Sequence, residues 1–290
     1  MGSGSWSVSS FSDYSVSAGR LLREDNSVDF SKCSTNQVFK QRDLHKDLDP
    51  KDVIRECRDT DEHPSTIPVI VGIDVTGSMG PAAKQVASKL NTIITSVMDK
   101  AKDAEFLVMG IGDLLYDDVP VQASQFESDI RIAKQLDNIY FEGGGGGNLS
   151  ESYSAAWYFG VNNTDLDCWK RGKKGVIITI GDEELNPDLP IKELKKNVGC
   201  TTQQKTGNLK SSDIYDRAKD KFNIFHIHVN HDLASKGREP DAKKTFGAQI
   251  GAQHVFSTDV EGLDKIISNI VTDEQNQAEA GTNSRGEIVW

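Results

Sequence analysis

Ile67-Pro68-Val69-Ile70-Val71-Gly72-Ile73-Asp74-Val75-Thr76-Gly77-Ser78-Met79-Gly80-Pro81 is the stretch whose reading decides the fold. Its first seven residues form an apolar run, too short for a helix and suited to a strand buried on both faces. Pro81 stands where the first turn of a helix favours proline. Beyond it Val86, Leu90, Ile93, Ile94, Val97, Met98 and Ala101 recur every three or four residues, one apolar stripe for packing on a sheet. The tight turn between strand and helix carries one carboxylate, Asp74, and two hydroxyls, Thr76 and Ser78. Hard divalent cations take oxygen ligands in near-octahedral geometry and keep some of their waters, so this turn reads as half of a metal site.

The alternation continues downstream. Apolar runs and turn residues predict strands over 105–112, 119–126, 175–180, 222–229 and 254–257, with Pro120 marking an edge. Helical periodicity predicts helices over 130–139, 151–161, 190–197, 241–250 and 262–271. Strands alternating with helices imply right-handed crossovers, hence an α/β fold: a Rossmann-like, doubly wound, mostly parallel sheet with helices on both faces. The segment before it, 1–66, is polar and carries Trp6, Phe11, Tyr14, Phe30 and Phe39 without a sustained period. It reads as an irregular arm, either wrapped on the domain surface or disordered. The domain proper spans 67–272, and 273–290 reads as a flexible polar tail.

Composition excludes several classes. The chain of 290 residues carries 33 Lys and Arg against 44 Asp and Glu, a formal net charge of −11. That balance argues against nucleic acid as a partner. No run approaches the roughly 20 apolar residues of a spanning helix, and no signal sequence is visible, so neither membrane nor export is expected. Trp6 stands where a myristoylation motif needs Ser or Thr. Cys33, Cys57, Cys168 and Cys200 lie far apart with no Cys-x-x-Cys pair, as expected of reduced thiols in a cytoplasmic protein.

In open α/β sheets ligands bind beyond the carboxyl ends of the strands, where loops from different strands converge. Three such loops are rich in oxygen. The first holds Asp74, Thr76 and Ser78; the second is 142–151, with five consecutive glycines followed by Asn148 and Ser150; the third opens with Gly181-Asp182-Glu183-Glu184. The glycine run lacks the Lys-Ser or Lys-Thr ending of a phosphate-binding loop and lies between two predicted helices, which favours a shaped ligand loop over a linker. Asp113, Asp117 and Asp118 read as a solvated acidic loop. Of His226, His228 and His231, the first two share one face of a buried strand, where a structural role is expected, and no Cys or carboxylate cluster completes a zinc set.

The spacing Asp74-x-Thr76-x-Ser78 resembles the Asp-x-Ser-x-Ser signature of the von Willebrand factor A family, with its metal-ion-dependent adhesion site after the first strand. The stretches 110–113, 122–129, 142–148 and 166–169 resemble a bacterial subgroup of those domains. The resemblance implies Mg²⁺ or Mn²⁺ held by Asp74, Thr76, Ser78 and Asp182. It also implies a second-loop place that Asn148, Ser150 or water would fill, since no Thr follows the glycines. It implies a non-enzymatic, cation-dependent adaptor or chaperone-like module whose protein partner presents Asp or Glu, with a MoxR-type AAA+ ATPase as one such partner. Two alternatives stay open. One is a phosphatase of the haloacid-dehalogenase type with Asp74 as nucleophile, although Thr76 stands where its general acid is expected and a missing proton donor costs ~10²–10⁴ in rate. The other is an interaction domain whose metal site is vestigial.

Overall fold

The opening apolar run is a strand, β1 (Ile67–Asp74), in the middle of a six-stranded sheet. The computed structural model describes residues 4–143, 149–199 and 206–283. The other strands of that sheet are β2 (Ala104–Ile111), β3 (Val121–Ala123), β4 (Gly175–Gly181), β5 (Phe222–Val229) and β6 (Val255–Thr258). Their order in the sheet is β3-β2-β1-β4-β5-β6. All neighbours run parallel except β3, an antiparallel edge strand just after Pro120. This is the expected Rossmann-like, doubly wound α/β fold, and its strand order reverses between β1 and β4. Ile73 is paired with Gly110 on one side and Ile180 on the other, so the chain leaves β1 and β4 side by side.

Side-chain alternation along each strand feeds two cores. Val69, Ile73, Phe106, Val108, Val176, Ile178 and Ile180 face one of them. That face is covered by α1 (Gly80–Met98), α2 (Arg131–Asp137) and α7 (Leu263–Asn283), through residues such as Leu90, Ile132 and Ile267. Ile70, Leu107, Met109 and Ile177 face the other core. There α3 (Ser154–Asn162), α4 (Ile191–Asn197), α5 (Ser211–Ala218) and α6 (Leu233–Ile250) contribute Trp157, Leu194, Ile214 and Phe246. Among the described residues no helix is long and apolar enough to cross a membrane, and Cys33, Cys57 and Cys168 are free thiols.

Several boundaries differ from the expected ones for local reasons. Helix α6 starts at 233 rather than 241, because Asp232 and Ser235 form a reciprocal capping box that starts it ahead of Pro240. Helix α3 starts at 154 rather than 151, because Ser150 and Glu151 are drawn into a short parallel ladder with Glu184 and Leu185. Helix α7 continues to Asn283, beyond the 262–271 expected. Helix α5 and an arm helix, Val8–Ser17, have no counterpart in the reading above.

The described part of the arm, residues 4–66, packs on the α1 face. Phe11, Val28, Phe30, Val38, Phe39 and Leu48 are buried in its core. The Val28 amide donates to the Ser88 carbonyl at 3.0 Å, the Trp6 indole to Thr95 Oγ1 at 3.1 Å, and the Tyr14 hydroxyl to Asp137 Oδ2 at 2.5 Å.

Candidate metal centre

Parallel pairing of β1 and β4 delivers Asp74 and Asp182 to the point where the strand order reverses, and both are fully buried. Asp74 is held by its own turn: the Thr76 amide donates to Asp74 Oδ1 at 2.9 Å and the Thr76 hydroxyl to the same oxygen at 2.6 Å. The other carboxylate oxygen accepts from the Tyr153 hydroxyl at 2.7 Å. Ser78 Oγ lies 3.4 Å from Thr76 Oγ1 and donates to Asp182 Oδ1 at 3.0 Å. A hydrogen-bonded chain thus runs Tyr153–Asp74–Thr76–Ser78–Asp182 across the first and third loops.

His231 and Arg238 converge on Asp182 from the segment after β5. His231 Nε2 lies 3.2 Å from Asp182 Oδ2. Arg238, in the second turn of α6, donates from Nη2 to that oxygen and from Nε to the Asp182 carbonyl at 2.9 Å. Burial disfavours the Asp182 carboxylate, yet hydrogen bonding to His231, the Arg238 charge and the Ser78 hydroxyl outweigh it, and its pKa lies below the ordinary value. His231 is raised, chiefly by its bond to Asp182. Among the described residues no cation pairs with Asp74. Burial and then the Asp182 charge push its pKa well up, against the opposing bonds from Thr76 and Tyr153.

More carboxylates surround this pair than its cations neutralise. Glu183 is buried, and burial together with Asp74 and Asp182 pushes it up to about 7. Glu151 is pushed far above the carboxylate range by burial and by the charges of Asp74, Asp117 and Asp113. Asp117 is raised to about 6, mainly by burial. The loop after β2 is therefore not the solvated acidic loop that the sequence suggests: Asp113 is buried, accepts from Asn186 Nδ2 at 3.1 Å and, through its other oxygen, from the Leu115 amide at 2.6 Å.

The second and third loops are stitched together by the ladder of Ser150 with Glu184 and Glu151 with Leu185. Within it Ser150 Oγ donates to Asn186 Oδ1 at 2.5 Å. Of the six candidate ligands, Asp74, Thr76, Ser78 and Asp182 are brought together. Ser150 bonds to Asn186, and Asn148 lies outside the described residues. The two buried strand histidines have structural partners: His226 Nδ1 lies 2.9 Å from Thr179 Oγ1 with its ring stacked on Phe246, and His228 Nε2 lies 2.9 Å from the Ser235 carbonyl.

Sequence reasoning missed Tyr153 and Arg238, weighed His231 only as a discounted zinc ligand, and gave Glu151 no role beyond closing the second loop. A signal for α6 was present in Asp232-x-x-Ser235, which places Arg238 early in a helix after β5. Tyr153 reaches Asp74 because Gly181 leaves it room: a β-carbon there would lie 1.9 Å from the Tyr153 hydroxyl oxygen.

The donor set suits Mg²⁺ or Mn²⁺. Among the described residues no three His, Cys, Asp or Glu side chains gather into a ready-made cage. A cation here would take hydroxyl and carboxylate oxygens and retain waters, as Mg²⁺ does. Glu151 Oε2 and Glu183 Oε2 are buried and have no hydrogen-bond partner.

No protein-family model matches the chain, and no curated protein matches it. Solved structures with a similar chain course include the pilus adhesin SpaC from Lactobacillus rhamnosus GG in its open conformation, with TM-score 0.49, 11% identity, and 77% of this chain covered against 31% of the adhesin. The vWF domain of the type V pili tip protein Mfa5 from Porphyromonas gingivalis is similar with TM-score 0.47 and 12% identity, over 78% of this chain and 98% of that one. Manganese-loaded Plasmodium vivax TRAP is similar with TM-score 0.42 and 13% identity, over 71% and 74%. The chain thus spans about a third of the length of the adhesin it resembles.

Proposed function

We propose that this chain is a protein-binding module of the von Willebrand factor A type, dependent on Mg²⁺ or Mn²⁺, which recognises an Asp or Glu side chain of its partner. The observation that carries this reading is the convergence of Asp74, Thr76, Ser78 and Asp182 at the strand-order reversal, in a shell of buried carboxylates short of positive charge. When bound, the cation would supply concentrated positive charge for a partner carboxylate to meet. Thr76 and Ser78 provide neutral oxygens for it, while Asp74 and Asp182 provide the charge. Tyr153 orients Asp74, and His231 and Arg238 orient Asp182. An adaptor role beside an AAA+ ATPase, in a cytoplasmic setting, is consistent with the acidic composition and the free thiols.

Catalysis is not part of this proposal. Thr76 stands where the general acid of a haloacid-dehalogenase phosphatase is expected, which weighs against an aspartyl nucleophile at Asp74. A second reading, an interaction domain that works without metal, is favoured by one observation: Arg238 already supplies a positive charge to Asp182.

Calorimetric titration of metal-stripped protein with Mg²⁺ and with Mn²⁺ tests the proposal. Saturable binding that disappears in Asp74→Ala and Asp182→Ala is expected. No binding in the unaltered protein overturns the metal-dependent reading, and partner capture that survives chelation establishes the second.

A further inference from the structure

We infer that an apolar rim surrounds the cation site and selects a protein partner whose Asp or Glu is flanked on both sides by large apolar residues; this deepens the metal-dependent reading and rests on it. Among the described residues from 67 onward, four large apolar side chains are more than half exposed: Leu115 at 62%, Tyr116 at 57%, Leu149 at 63% and Leu233 at 88%. All four lie at the end of the sheet where Asp74 and Asp182 meet. Leu115 and Tyr116 stand in the loop after β2, Leu149 immediately precedes the Ser150–Glu151 strand, and Leu233 is the first residue of α6.

Hydrogen bonds tie these segments to the site. The Leu115 amide donates to Asp113 Oδ1 at 2.6 Å, and Asn186 Nδ2 donates to Asp113 Oδ2 at 3.1 Å. Ser152 Oγ accepts from the Leu114 amide at 3.1 Å and from Asn186 Nδ2 at 3.2 Å. The Leu149 carbonyl accepts from the Glu184 amide at 3.2 Å, two residues beyond Asp182. Leu233 stands in the chain between His231 and Arg238, which both contact Asp182. Exposed apolar side chains scattered singly need no explanation, whereas a set gathered around one point marks an interaction surface. The charges of the rim limit where a partner can be acidic. Tyr116 is followed by Asp117 and Asp118, and the Glu142 carboxylate accepts from the Asp118 and Val119 amides at 3.2 Å each. Among the described residues no ion pair neutralises these three carboxylates. A partner acid on that side meets like charge and is repelled, while one at the centre meets the cation. The complementary partner therefore places a single carboxylate at the centre and apolar neighbours on Leu115, Tyr116, Leu149 and Leu233.

The test is fluorescence anisotropy of labelled acetyl-Gly-Leu-Asp-Leu-Gly-amide on the full chain in excess Mn²⁺, beside the same peptide with Gly for both Leu or with Asn for Asp, and Mn²⁺ calorimetry on every protein used. The Leu-flanked acid should bind about 10-fold or more tighter than the Gly-flanked one, and the Asn peptide should not bind. Leu115→Ser and Leu233→Ser change side chains that face solvent, so each should fold normally and weaken the Leu-flanked peptide about 3-fold or more. Neither should change Mn²⁺ affinity or the Gly-flanked peptide. Leu21→Ser, in the arm and equally apolar at 74% exposure, should change nothing. Equal affinity for the Leu-flanked and Gly-flanked peptides, unchanged binding in both rim variants, or no peptide binding by a chain that takes up Mn²⁺ overturns the inference and leaves the metal reading standing. No saturable Mn²⁺ heat in the unaltered chain removes both. Sedimentation of the unaltered chain and flotation with phosphatidylcholine vesicles complete the test: self-association or lipid binding that Leu115→Ser abolishes assigns the rim to a second copy or to a lipid surface, and either result overturns the inference.

Discussion

Replacing Arg238 with Gln separates the two cations that the site can use. Arg238 donates twice to Asp182, whose side chain is fully buried, while its own is 21% exposed. Removing one partner of a buried ion pair costs about 3–5 kcal/mol. Here Asp182 keeps Ser78 and His231, and the guanidinium is partly solvated, so a loss of about 2 kcal/mol in chelator is expected. Saturating Mg²⁺ should shrink that deficit. A ligand that binds only the folded state stabilises it by RT ln(1 + [L]/Kd), and the variant no longer has a guanidinium competing for Asp182. A ten-fold gain in Mg²⁺ affinity is worth about 1.4 kcal/mol and would bring the deficit to about 0.6 kcal/mol. Urea unfolding of both proteins with EDTA and with excess Mg²⁺ measures each quantity. A deficit that is the same in both solutions, or absent in EDTA, refutes the reasoning.

Tyr153→Phe leaves Asp74 Oδ2 buried without its donor and should cost about 1–3 kcal/mol in urea unfolding. Gly181→Ala drives a β-carbon into the Tyr153 ring as well as its hydroxyl, so its cost, about 2–3 kcal/mol, should equal or exceed that of Tyr153→Phe. Stability should also depend on pH in chelator. Glu183 is raised from 4.5 to about 7 in the folded chain, so the folded state holds this proton more tightly than the unfolded state does. Its contribution is full below pH 4.5 and is lost as the pH rises through 7; unfolding midpoints between pH 5 and 7.5 should therefore fall less steeply in Glu183→Gln.

Asp74, Thr76, Ser78 and Asp182 were legible because each sits within a few residues of an apolar run whose end fixes its position. The sheet was legible for the same reason: β1, β2, β4 and β5 are apolar runs with β-branched residues that need no distant partner to be recognised. Tyr153, Glu151 and Arg238 reach the site from segments whose placement depends on pairings between distant residues. Glu151 is turned inward by a ladder to Leu185, and Arg238 by a helix whose start the sequence reading placed beyond Pro240. A local pattern carries no record of such a pairing. The core residues of the arm were hidden differently, since Phe11, Phe30 and Phe39 are scattered among polar residues and have no period of their own.

The arm's packing also imposes an order of events as the chain is made. It leaves the ribosome before the domain it packs on, yet Tyr14 waits for Asp137, 123 residues later, and Trp6 waits for Thr95. At about 5–20 residues per second, that wait lasts several seconds or more. Throughout it the aromatic residues of the arm have no core to enter. Spacing them among Ser and Asp keeps the waiting segment hydrated and poor at pairing with a neighbouring nascent chain. The composition that made the arm look unstructured is thus what allows it to arrive late.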